Sequence, residues 1–338
     1  MKKTIEKLKK VQDIVMFVLT DKRYNADLDR NEVNFIKQNE SSFLFYTIVN
    51  DTFFPFFRKI KDLIEFDYKT RIIFSWYEKW INEFDNELVK VTKIIKRTKA
   101  GIIKLKETRK LHTDIDIACP RELNKVIENF LNYGYTLKDK IYDNNYSLRR
   151  EKSRITIEIH KKRLISNISK LPILDFSKIK FHSKKFFENI KVKYPVPEWD
   201  IIIWIFHQFL TVNTTPQLRG YFTLSLSDIL TLRKLKVKNI YKKIERMGKD
   251  KCINIINFDI DLAIKIIKYV IENFERRKIV LPYLIPTNII IKNIINYSIP
   301  YGVIFLQTLT LKNILRILHK KSPIIKYKEF YPYRFIYV

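Results

Sequence analysis

Residues 113–119 read TDIDIAC, a strict alternation that an extended strand expresses as one apolar and one acidic face. Ile115 and Ile117 share the first face; Asp114 and Asp116 share the second. Two carboxylates on one strand face repel, and burying them without a cation is costly. Solvation on an open sheet face relieves that cost, and so does a hard divalent metal. The pair by itself leaves both answers open.

A second alternating segment, RITIEIH at 154–160, puts Thr156, Glu158 and His160 on one face and Ile155, Ile157 and Ile159 on the other. If it lies beside TDIDIAC with both isoleucine faces on the core, Glu158 joins the aspartates. Three carboxylates from two strands can hold two divalent ions about 3.5–4 Å apart, the arrangement suited to in-line displacement at phosphorus. Asp114, Asp116 and Glu158 are therefore the candidate catalytic and metal-ligating residues, with Mg²⁺ or Mn²⁺ as cofactor and an NTP as substrate. His160 has three readings: a phosphate contact, an orienting partner near Glu158, or a satisfied, partly buried histidine.

The flanks read differently. Residues 1–90 are expected to be helical. In RIIFSWYEKWINEFDNELV, Ile73, Trp76, Trp80 and Phe84 recur at helical spacing, and the aromatic stretch 42–57 reads as core. From residue 91 the period changes, and VTKIIKR reads as a strand. After TDIDIAC, Pro120 is expected to open a helix with Leu123, Val126, Ile127, Phe130 and Leu131 on one stripe and Gly134 as its stop. Two strands follow, YTLKDKIYD and YSLRR, joined by a turn at Asn144–Asn145, and then RITIEIH. The order strand, strand, helix, strand, strand, strand gives an α+β fold, a mixed sheet with a helix on one face. The expected organisation is a helical region at 1–90, an α/β core at 91–165, a linker without sustained period at 166–195, and a helical domain at 196–338.

The TDIDI strand, the helix ending in NYGY and the strand ITIEIH resemble the uncharacterised nucleotidyltransferase-like family of the polymerase-beta superfamily. The likeness covers roughly 90–235 and implies a palm-like sheet core that transfers nucleotides. It assigns Lys96, in IIKRT, as the lysine on the strand before the acids, and His160 as the histidine after the later acid. His207 and Asp228 fall in the family's C-terminal helical part. The superfamily holds phosphate with a Gly-Ser or Gly-Gly turn, and here the only candidate is Gly101, without a serine. Basic side chains are the substitutes expected to grip phosphate: Lys96, Lys99 and Arg109, with Arg149 and Arg150 on a neighbouring hairpin. Solvated surface charge is the competing reading of each.

Composition narrows the partners. The chain contains no G-x-G-x-x-G and no G-x-x-x-x-G-K-[ST], and has only 5 Gly, so Rossmann and Walker sites are excluded. Its 65 Lys plus Arg against 36 Asp plus Glu, a net +29, suit RNA or DNA, although compositional drift toward Lys, Ile and Asn inflates the excess. Cys119 and Cys252 read as buried thiols in a reducing compartment, which fits a cytoplasmic protein. His112 and His182 read as surface residues, and His207 as a packed one. The apolar run 279–311 is broken by Pro282, Pro286, Pro300 and Gly302, so no stable membrane insertion is expected. The expected activity is metal-dependent transfer of an NMP from an NTP to a hydroxyl. The alternative is a basic nucleic-acid-binding module on the same fold whose catalysis has lapsed.

Overall fold

The helical stripe of Ile73, Trp76, Trp80 and Phe84 continues past the point where the sequence period was expected to change. A computed structural model describes residues 2–21, 27–106, 112–141, 145–161, 163–165, 172–187, 189–210, 223–234 and 260–284. Arg109, Cys252 and everything after 284, including most of the apolar 279–311 run and the PYRFIYV tail, lie outside the described residues. Four helices, α1 (Lys2–Thr20), α2 (Arg30–Gln38), α3 (Glu40–Val49) and α4 (Phe53–Ile60), lead into α5 (Tyr68–Ile95). Asp67 caps α5 by accepting from the Thr70 amide. Val91, Ile94 and Ile95 are buried on this helix. VTKIIKR is thus its last turns and not a strand, because those three side chains prolong the stripe at spacings of three and four. The aromatic stretch is core as expected: Phe43, Phe53, Phe56 and Phe57 are buried, while Phe45 faces solvent.

The sheet carries its strands in the order β1-β2-β5-β4-β3. These are β1 (Gly101–Ile103), β2 (Asp114–Cys119), β3 (Tyr135–Ile141), β4 (Asn145–Arg150) and β5 (Thr156–Lys161), with α6 (Leu123–Asn132) after β2. β2 and β5 pair in parallel, and the other neighbours pair antiparallel, so the sheet is mixed and the fold α+β. Ile102, Ile115, Ile117, Leu148, Ile157 and Ile159 form one apolar cluster with Leu88 and Val91 of α5 and Val126 and Phe130 of α6. The opposite face keeps the polar residues. The α6 helix starts at Leu123, not at Pro120, behind Glu122 held at φ 60°. It ends ahead of Gly134, whose φ of 79° suits the expected stop. Leu131 drops out of the expected stripe and is exposed.

The segment expected to be a linker contains strands. β6 (Arg163–Ile165) pairs with β7 (Pro172–Asp175), and β8 (Phe181–Phe186) forms a hairpin with β9 (Ile190–Pro195). Phe186, Val192 and Tyr194 join the sheet's apolar cluster. The intervening lysines hid this alternation. Gly101 is a buried strand residue, not a phosphate-cradling turn, and a Cβ there would stand 2.4 Å from the Phe181 ring. Gly101→Ala is accordingly expected to cost about 1–3 kcal/mol through overpacking, read as a lower urea midpoint. Gly101→Ala combined with Phe181→Leu should recover part of it, and an unchanged midpoint in the single variant would show that the ring yields freely.

Among the described residues three more helices follow: α7 (Pro197–Leu210), α8 (Leu226–Lys234) and α9 (Ile260–Glu275). Ile201, Ile202, Ile203, Ile205 and Phe206 of α7 share one cluster with Val11, Phe43 and Phe56 from the N-terminal helices and Ile264 and Ile267 of α9. Polar side chains stitch the same seam. Asn50 Oδ1 accepts from the Leu226 amide, and Gln12 Oε1 accepts from both Tyr46 Oη and the Leu281 amide. His112 is buried against the Phe84 ring, contrary to a surface placement, because its backbone carbonyl accepts from Trp80 Nε1 and draws the residue inward. His182 is exposed. Among the described residues no helix is long and apolar enough to cross a membrane.

Candidate metal centre

Parallel pairing of β2 with β5 sets Asp116 opposite Glu158, Asp114 opposite Thr156 and Ala118 opposite His160. Because both isoleucine faces turn to α5 and α6, all these polar side chains emerge on the other side of the sheet. Ligand atoms of Asp116, Glu158 and His160 lie within 4.8 Å of one another. From the far side of β5, Asn145 of β4 hydrogen-bonds Glu158. Asp114 lies one step along the same face. It falls outside the 4.8 Å group, though its charge is felt by Glu158 and Lys104.

One oxygen carries much of the local order. Asp116 Oδ1 stands 2.8 Å from Lys104 Nζ and 2.6 Å from His160 Nε2. Lys104 follows directly on β1, whose Ile103 pairs with Asp116, and its φ of 59° turns the chain there. Burial works against ionisation of Asp116, but the Lys104 ammonium and the His160 contact outweigh it and hold the carboxyl well below the usual range. Burial also pushes the His160 ring toward its neutral form. An ionised Asp116 can only accept, so His160 donates through Nε2–H, and its buried Nδ1 then carries the lone pair. That Nδ1 has no hydrogen-bond partner among the described residues.

Glu158 is the group out of balance. Burial, then the charges of Asp116 and Asp114, push it up to about 8, and Lys104 offsets only part of this. Among the described residues three acids face one lysine, which leaves room for a further cation. The chemistry of the donor set fits one: carboxylate oxygens suit Mg²⁺ or Mn²⁺, and the imidazole widens the set toward transition metals.

The cations expected to grip phosphate are elsewhere. Lys96 is the exposed C-cap of α5 and not a strand residue, since the helix extends to Ile95. Lys99 is exposed, and its amide donates to Glu122. Lys104 is the lysine that meets the acids. It was missed because placing a strand at 91–97 displaced the true β1; once α5 is extended, Lys104 is the first cation after the strand that precedes the acids.

Compared with known protein families, curated proteins and solved structures, the chain shows no match. The functional reading therefore rests on the site's own geometry.

A second buried cation lies close by in the chain. Lys106 Nζ is 2.6 Å from Asp228 Oδ1 and 3.8 Å from Asp51 Oδ2. Asp228 also accepts from Trp204 Nε1 and from the amide and hydroxyl of Ser225. Asp228 thus pairs at the start of α8, with Lys106 its principal counter-ion.

Proposed function

We propose that the chain is a metal-dependent nucleotidyltransferase that moves an NMP from an NTP to a hydroxyl acceptor and releases pyrophosphate. The observation that carries this reading is the pairing of Asp116 with Glu158 across adjacent parallel strands, beside His160 and with more negative charge than Lys104 offsets. Asp116 and Glu158 would hold Mg²⁺ or Mn²⁺, with Asp114 one step away on the same face. A bound divalent ion supplies charge neutralisation at the phosphoryl group and a lowered pKa at the attacking hydroxyl. His160 fixes the orientation of Asp116 through Nε2–H. Lys104 adds fixed positive charge in a buried setting, where it acts strongly on a nearby phosphate. In the reaction the acceptor oxygen bonds to the α-phosphorus, the bond from phosphorus to the pyrophosphate oxygen breaks with its electron pair leaving on pyrophosphate, and the hydroxyl proton passes to solvent water.

A second reading has its own support. Lys104 already pairs with Asp116 at 2.8 Å, as an internal counter-ion would in a basic binding module without catalysis. One assay separates the two. Purified protein is incubated with Mg²⁺ or Mn²⁺, labelled NTPs and total RNA or DNA, beside an Asp116→Asn/Glu158→Gln variant. Incorporation lost in the variant supports transfer, and incorporation that survives in it overturns the site. No incorporation with any acceptor, together with salt-sensitive binding that the substitutions leave unchanged, favours the binding module.

The elevated Glu158 gives a pH expectation. Between its ordinary value of 4.5 and about 8 the folded chain keeps a proton that the unfolded chain has lost. Without metal, this group therefore lowers stability as pH rises through that window. A metal bound at Glu158 must displace the proton. Calorimetry in buffers of different ionisation enthalpy is expected to show about one proton released per Mn²⁺ at pH 7 and about none at pH 9. Affinity should rise roughly tenfold per pH unit below 8 and flatten above it. Equal proton release at both pH values would remove Glu158 from the ligand set.

A further inference from the structure

We infer that a basic cleft beyond the C-terminal end of β2 binds the phosphodiester backbone of a single-stranded nucleic acid. Cys119 ends β2, and Pro120 and Arg121 leave it at the mouth of a recess of about 400 Å³. Lys99, Lys178 and Lys193 converge there with Arg121, and Ile179 and Phe181 supply an apolar wall. Lys193 is held in place because its Nζ donates to the Thr98 carbonyl at 2.6 Å. Burial and the neighbouring Lys99 push the Lys193 ammonium toward its neutral form, the mark of cations crowded together. The acid that bears on Lys193 is Glu122, whose carboxylate receives the Lys99 amide and lies 3.9 Å from Lys125 Nζ. Asp175, on β7, accepts the Ser177 amide at the edge of the recess.

Four cations beside an aromatic and an aliphatic wall match the mixed chemistry of a nucleotide unit, which pairs a charged phosphodiester with a base that stacks. A recess of this volume takes a unit or two of a strand and not a duplex. Its place in the fold argues for a chain over a single nucleotide. At about 3.3 Å per residue, Pro120 lies on the order of 13 Å along β2 from Asp116, far beyond the roughly 2 Å of a metal–oxygen contact. A phosphate in the cleft is therefore not one that the acids hold, and a ligand that reaches both places must repeat its phosphates. Phe181 walls the cleft and also covers Gly101, which pairs with Ala118, two residues past Asp116. The cleft stands on its own geometry. That its strand is the acceptor of transfer rests on the reading above.

Binding of a short labelled oligouridylate is measured by anisotropy across a salt series, without metal or NTP. The whole chain is compared with its Lys99→Gln/Arg121→Gln variant and with a Lys37→Gln/Lys79→Gln variant altered on helices α2 and α5. All four side chains are exposed, so folding should be little affected. The cleft variant is expected to bind at least tenfold more weakly. Its slope of log affinity against log salt should shrink by about 1.4, roughly 0.7 for each phosphate that is no longer neutralised. The control pair should bind as the parent does. Glu158→Gln, a variant expected to stay folded, should bind normally too, so a failed transfer assay would leave this result standing. Equal losses in the cleft and control variants would overturn the cleft, as would competition by inorganic triphosphate or free UTP as effective as that of unlabelled oligouridylate.

Discussion

Asp116→Asn and Glu158→Gln are expected to lower nucleotidyl transfer by about 10³-fold or more each, while moving stability in opposite directions. Asp116 is the counter-ion of buried Lys104 and the acceptor for His160. Neutralising it strands the lysine, so Asp116→Asn should lose about 3–5 kcal/mol, as when one partner of a buried pair is removed. Glu158 is in the reverse position, an acid held up to about 8 by burial and by the neighbouring aspartates. At pH 7 it mostly keeps its proton, and Gln replaces a neutral group with a neutral group of similar shape. Between its ordinary value of 4.5 and about 8 the parent loses stability that the variant keeps, so the variant's advantage should grow by up to about 1.4 kcal/mol per pH unit through that window and level off above it. Urea unfolding at pH 5 and pH 9, in a chelator, measures these differences beside the transfer assay. A Glu158→Gln protein that stays folded and keeps its activity would remove the centre assigned here. A loss of stability at both pH values would mean that Glu158 is paired and ionised in the native state.

Those opposite signs show what the sequence could and could not disclose. The alternation in TDIDIAC and RITIEIH was enough to set Asp116 and Glu158 on one face, because isoleucine at every second position leaves the strand no other way to bury itself. Parallel pairing with this register was not written in either segment. It follows from the crossover through α6, β3 and β4, which returns β5 to the side of β2. Lys104 was illegible for a local reason. VTKIIKR satisfies a strand period over a few residues and a helix period over many, and only the stripe from Ile73 onward decides for the helix. Phe186, Val192 and Tyr194 were obscured by lysines, whose long stems tolerate half-buried strand positions. His112 was misplaced because the bond that draws it inward uses its backbone, and a backbone carbonyl leaves no trace in residue identity. The pairing of Lys106 with Asp228, far apart in sequence, has no local signature at all.

That pair yields the other large expected effect. Lys106→Met should cost about 3–5 kcal/mol, since it leaves Asp228 ionised and buried. The bonds that Asp228 accepts from Trp204 Nε1 and Ser225 cannot replace the lost charge. Asp228→Asn should cost less. It keeps an acceptor for the Ser225 amide, and Asp51, 3.8 Å from Lys106 Nζ, still faces the lysine. In the double variant neither charge is stranded, so a double-mutant cycle from urea unfolding should return a coupling of at least about 2 kcal/mol. Single losses that simply add would show that the two side chains do not act as a pair. Burial raises the Asp228 carboxyl, but Lys106 and the Ser225 bonds outweigh it and leave the group below its ordinary range. Its stabilisation is present at neutral pH and is lost as acid titrates the folded carboxylate, so the stability gap between parent and Lys106→Met should narrow toward low pH. The effect should also reach the metal centre. Lys104 and Lys106 are two residues apart and hold acids on different elements, Asp116 in the sheet and Asp228 in α8. Freeing the second anchor loosens the first, and Mn²⁺ affinity should change in Lys106→Met although an ammonium offers no lone pair to a metal. Unchanged affinity in a destabilised Lys106→Met protein would confine the pair to holding α8 against the sheet.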